Sequence, residues 1–124
     1  TANATARSIG LRLRSNAEIT QVDKNIAIGS EYLRQVLRQF GGYFPLAAAA
    51  YNAGPSRVKA WLRNAACTPE DIWVDTLPFL ETEGYVRRAL FYAAVYEFRL
   101  GVTVSPLGSR MADMTRFGSA STTC

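Results

Sequence analysis

The stretch AAAAYNAGPSRVKAWL, from Ala47 to Leu62, decides how this chain is read. Four alanines, the residue with the highest helix propensity, run into a tyrosine and an asparagine. Gly54-Pro55 then breaks the backbone, because glycine suits the position just past a helix and proline the first turn of the next. In the second half Val58, Trp61, Leu62 and Ala65 recur at three- and four-residue spacing, while Arg57, Lys59 and Arg63 fall on the opposite side. The spacing predicts two short helices joined by a tight junction, with Tyr51 and Asn52 in the last turn of the first. They either punctuate that junction or face a ligand there.

Working outward, the segment Asp23 to Phe40 places Ile26, Tyr32, Leu33, Val36, Leu37 and Phe40 at helical spacing. Asp23 is the expected N-cap and Gly41-Gly42 the stop. Pro45 opens the alanine-rich helix. Thr68-Pro69-Glu70-Asp71 carries the signature of another helix start, leading into Ile72, Trp73 and Val74 until Pro78 interrupts. From about Glu81 to Leu100 a long helix is expected, ending at Gly101; it is apolar on more than one face and is therefore predicted to lie at the centre of a bundle. No stretch alternates with period two, so the fold class is all-α. Thr1 to Arg14 reads as a helix fragment with partners upstream. Residues 1–101 form the expected domain, and 102–124, rich in Gly, Ser and Thr, a partly disordered tail.

With 124 residues and 48% hydrophobic content, the chain suits one core. A formal charge of +4 favours anionic partners without choosing among nucleic acid, phospholipid and an acidic wall polymer. There is no histidine, which excludes His-based triads and His metal ligands, and the two cysteines are too far apart in sequence for a zinc site. No metal or cofactor is expected. Cys67, in an expected loop, and Cys124 are open to either a bridge or two free thiols. No apolar run approaches a membrane span.

Three blocks in order, "NIAIGSEYLRQVLRQFGG", "AAAAYNAGPSRVKAWL" and "DTLPFLETEGYVRRALFYAAVYEFRLG", resemble the soluble lytic transglycosylase family, a goose-lysozyme-like branch of the lysozyme superfamily. The likeness covers most of Thr5 to Gly101. It implies a lysozyme-like helical bundle whose enzymes cleave the β-1,4 bond between N-acetylmuramic acid and N-acetylglucosamine in peptidoglycan and leave a 1,6-anhydro sugar. One glutamate protonates the leaving oxygen and then takes a proton from the sugar's own C6 hydroxyl, an intramolecular nucleophile that lowers the entropic cost. In the family that acid sits in a Glu-Ser motif upstream of a Gly-Leu-Met-Gln loop, and neither motif occurs here. The expectation is therefore a C-terminal part of the catalytic domain, apparently lacking the family's N-terminal catalytic helix and completed by an upstream segment. Peptidoglycan strands are the implied partner, and the periplasm or cell exterior the implied location.

By the same resemblance Tyr51 and Asn52 line the sugar groove, Asn52 offering amide donors and an acceptor, and Tyr51 a ring face and hydroxyl. In "ETEGYV", Glu81 is the implied auxiliary carboxylate and Tyr85 contributes its hydroxyl. Leu77, Pro78, Phe79 and Leu80 offer Glu81 apolar surroundings that favour a protonated carboxyl, but a helix N-terminus favours the charged form, so Glu81 is not expected to replace the principal acid. The competing reading packs Tyr51 in the core and makes Asn52 a cap beside Gly54. Trp61 and Trp73 lie on apolar stripes and read as core; Glu70, Asp71, Asp75 and Glu83 read as helix starts or exposed turns. Two other functions stay open: a non-catalytic glycan-binding remnant, and a helix-turn-helix using Arg57, Lys59 and Arg63 on DNA.

Overall fold

A computed structural model describes residues 1–65 and 68–111. Among the described residues seven α-helices follow in order: α1 (Ala2–Ser8), α2 (Val22–Gln39), α3 (Phe44–Ala53), α4 (Pro55–Leu62), α5 (Glu70–Asp75), α6 (Leu80–Arg99) and α7 (Leu107–Arg110). A short 3₁₀ helix, Asn16–Thr20, precedes α2. Among the described residues there is no strand, and no helix is long and apolar enough to cross a membrane.

The alanine-rich α3 is the axis of the molecule. Ala47, Ala48, Ala49 and Ala50 are all buried, and α3 packs against α2, α4 and α6. Methyl side chains allow this, because they let three neighbouring backbones approach one helix without voids or clashes. Around them Val36 of α2, Leu46 of α3, Val58 of α4 and Val86 of α6 close the core with almost no exposure. Gly54, at φ +97°, makes the α3–α4 junction in a backbone conformation that side chains with a β-carbon rarely adopt.

Several expectations change. The long α6 is not the central helix: its first half is packed, with Val86 fully buried, but Phe98 and Leu100 are 76% and 77% exposed and Phe91 63%. The apolar surplus that suggested burial on all sides instead forms an open face over its last turns. Asp23 lies in the first turn of α2 rather than at its cap, where Gln21 stands. Thr68 likewise gives way to Pro69 as the residue preceding α5. Glu70, read as an ordinary helix-start carboxylate, is buried at 2% exposure. The N-terminal fragment also has a partner within this chain: α1 packs on α2, burying Thr5 and Ala6.

The tail is in part folded. Glu97 accepts a hydrogen bond from the Ser105 backbone N–H at 2.9 Å and pairs with Arg110 at 2.6 Å, holding residues 105–110 to the end of α6. Cys67, Cys124 and the remainder of the tail lie outside the described residues.

Candidate functional site

The α3–α4 junction meets the start of α6 at a three-residue polar contact. Thr82 donates its hydroxyl to Asn52 Oδ1 at 2.7 Å, and Asn52 Nδ2 donates to Glu81 Oε1 at 3.4 Å, a long and weak bond. The geometry excludes Asn52 as a cap: α3 continues through Ala53, and the carboxamide is spent on α6 side chains. Asn52 is half-buried.

Tyr51, the preceding residue, stands in a row of three phenols. Its ring is parallel to that of Tyr85, with centroids 6.3 Å apart and 5° between planes, and tilted by 46° to Tyr32 at 5.4 Å. It is neither a sealed core residue nor a free surface ring. Two adjoining open depressions, of about 260 Å³ and 310 Å³, share Asn25, Gly29 and Tyr51 in their walls. The first adds Thr5, Ile28 and Tyr32; the second adds Ser30, Leu33 and Tyr85. Burial raises the phenol pKa values of Tyr32 and Tyr85 above the ordinary tyrosine value, with a further contribution from Tyr51 beside each. These hydroxyls therefore act as neutral donors and acceptors.

Glu81 is exposed in the first turn of α6, one helical turn from Tyr85. The apolar residues before it do not enclose it. Leu77 is turned into the core and Leu80 is 83% exposed, while Phe79 packs edge-on against Trp61 and beneath the Arg57 guanidinium. Of the four residues singled out from sequence, Tyr51 stacks on Tyr85 and Asn52 meets Glu81; Tyr51 and Tyr85 line the depressions, whereas Asn52 and Glu81 are not in the walls of either. Asn25, Gly29, Tyr32 and Thr82 belong to the same region and were missed. Gly29 had a signal: a glycine in a helix interior costs stability and calls for a packing reason.

Trp73 is buried and Trp61 half-buried, as core residues. Of the cations on α4, Arg57 is engaged twice, donating to the Ala53 carbonyl at 3.0 Å and lying 5.4 Å from the Phe79 ring centre.

The Transglycosylase SLT domain family model matches residues 1–74. The soluble lytic murein transglycosylase of Salmonella typhimurium is 43% identical over 89 residues, 71% of this chain and 14% of that protein. The Escherichia coli enzyme of the same name is 42% identical over 88 residues, again 14% of its length. This chain therefore spans about one-seventh of the relatives it matches. Among solved structures, an inactive variant of the lytic transglycosylase Slt from Pseudomonas aeruginosa superposes with a TM-score of 0.79 at 41% identity, covering 91% of this chain and 19% of that one. The 70 kDa soluble lytic transglycosylase of Escherichia coli gives 0.79 at 35% identity, covering 93% and 18%. The all-helical, lysozyme-like architecture is shared with both.

Proposed function

Because the chain belongs to the transglycosylase SLT family, we propose that it forms one wall of a peptidoglycan groove in a lytic transglycosylase that cleaves the MurNAc–GlcNAc β-1,4 bond and leaves 1,6-anhydromuramic ends. The observation that carries this reading is that the same helix ends bring Asn52, Glu81 and Thr82 into contact and Tyr51 and Tyr85 to the wall of one depression. A glycan strand is a ribbon of hydroxyls and acetamido groups over apolar ring faces. It suits a wall that offers one oriented carboxamide and several tyrosines.

In this wall Asn52 hydrogen-bonds an acetamido or hydroxyl group, and Tyr51 supplies a ring face and hydroxyl. Tyr85 adds its neutral phenol, and Glu81 is the auxiliary carboxylate that orients Asn52 and adds negative potential near a developing oxocarbenium centre. The principal proton donor comes from a segment outside the described residues, since no carboxylate among them combines enclosure with a place in the groove. The relatives are named for murein, and the corresponding setting for this chain is the periplasm or cell exterior.

The test is digestion of purified sacculi, followed by mass analysis for anhydromuropeptides. The chain alone releases none; addition of a relative's upstream segment bearing the Glu-Ser motif restores release. Release by the unaided chain that is abolished by Glu81→Gln would make Glu81 the principal acid. Binding of chitotetraose with no release under either condition would leave a glycan-binding remnant.

A further inference from the structure

We infer that Thr82 is a positioning residue that sets the Asn52 carboxamide, so that its NH2 group faces Glu81 and the groove and its carbonyl faces the protein. Thr82 lies in the first turn of α6 at 1% exposure, among the most buried side chains in the molecule. Its methyl group serves the core; its hydroxyl adds nothing to apolar packing, and a valine of the same shape would fill the space. The hydroxyl's bond goes to Asn52 Oδ1 at 2.7 Å. That is the shorter and less exposed of the two contacts holding the carboxamide; the bond to Glu81 is 3.4 Å.

A carboxamide turned about its last torsion exchanges its oxygen and nitrogen, two ends of nearly equal size and opposite hydrogen-bonding character. Packing cannot tell these orientations apart. Glu81 alone selects weakly, because it is exposed and its bond is long. Thr82 fixes the position of the carboxamide: its buried hydroxyl seats one end at 2.7 Å, and with that end seated, reversal would strand the oxygen against the acceptor-only Glu81 carboxylate. The hydroxyl could accept from a reversed NH2, but Glu81 could not donate to the reversed oxygen, so the pair together permits one orientation. Neither partner alone does. Thr82 therefore acts through Asn52 and does not touch substrate.

For glycan, Thr82 matters only if the peptidoglycan reading above holds; its effect on the carboxamide stands or falls independently. The experiment uses the whole chain, labelled for NMR, and follows the Asn52 side-chain amide signals in wild type, Thr82→Ser and Thr82→Val, each with and without Glu81→Gln. In wild type and Thr82→Ser two separate amide proton signals are expected, and both shift on Glu81→Gln. In Thr82→Val the response to Glu81→Gln is lost, while the remaining backbone amide spectrum is kept. Chitotetraose affinity falls about five- to tenfold in Thr82→Val, as for one misdirected hydrogen bond, and stays within about twofold in Thr82→Ser, which retains the hydroxyl.

Asn52 signals in Thr82→Val that respond to Glu81→Gln as in wild type would overturn the assignment. If Thr82→Val does not fold, wild type and Thr82→Ser decide it: absence of a Glu81→Gln response in both, or a lost response in Thr82→Ser alone, overturns it as well. Expected Asn52 behaviour with no chitotetraose binding by any form would sink the glycan reading and leave the positioning role standing.

Discussion

The Tyr51 hydroxyl rests against the α2 backbone at Gly29, 3.1 Å from where a β-carbon on that residue would lie. A helix-interior glycine is about 1 kcal/mol less favourable than alanine, and the contact supplies the reason for keeping it. Gly29→Ala gains helix propensity and pushes the hydroxyl outward by a few tenths of an ångström. Because that hydroxyl is the end of a side chain beside open depressions, it can yield. The expected thermal midpoint is unchanged or raised by up to about 5 °C, with weaker chitotetraose binding by calorimetry. Undiminished binding would remove the Tyr51 hydroxyl from the groove wall.

Ala49 is fully buried where α3 meets its neighbours. Ala49→Leu adds three carbons to a close-packed site and is expected to destabilise by about 1–3 kcal/mol, measured by urea unfolding. Lys59→Ala, on the exposed face of α4, is expected to stay within about 0.5 kcal/mol. Comparable costs for both would mean that α3 is not the packed axis.

Glu97 ties the start of the tail to α6. The Ser105 N–H, followed by Arg110, holds its carboxyl below the usual carboxylate pKa. The folded value lies below the unfolded one, so the contribution to stability is present above the ordinary carboxylate value and is lost as pH falls through the lowered one. Protection of the Ser105 amide from hydrogen exchange should therefore persist through mildly acidic pH. Glu97→Gln should lower it at neutral pH while leaving α3 amides protected.

The phenols of Tyr32 and Tyr85 are raised first by burial and then by Tyr51. For an acid whose folded value is higher, stability is complete below the unfolded value and is lost as pH rises through the folded one. Phenolate absorbance should show two tyrosines ionising above the ordinary range, with alkaline loss of structure accompanying them. Tyr51→Phe should bring both values down only in part, since burial remains. Titration of every tyrosine in the ordinary range would contradict the stacked arrangement.

Glu31 is held at about 2, first by the hydrogen bonds from Arg34 and then by Gln35. In Arg34→Met its carboxyl should titrate closer to the ordinary value, followed by carbonyl-carbon NMR. Neither Glu31 nor Arg34 is in the walls of the Tyr51 depressions, so the change should leave chitotetraose affinity untouched.

The one-dimensional pattern determined the helices, because a 3.6-residue period, a Gly54-Pro55 break and an alanine run each act through neighbours a few residues apart. It also marked Tyr51, Asn52, Glu81 and Tyr85, through blocks whose order resembles a family. Tertiary structure decided what those residues do to one another. Asn52 and Thr82 are thirty positions apart, and nothing local to either says that one hydroxyl meets one carbonyl. The α6 helix made the same point in reverse: its apolar residues specified a helix, but whether Phe98 or Val86 is covered depends on which neighbours reach it. Helical period is a property of the chain, whereas burial and the orientation of a carboxamide belong to contacts between distant segments.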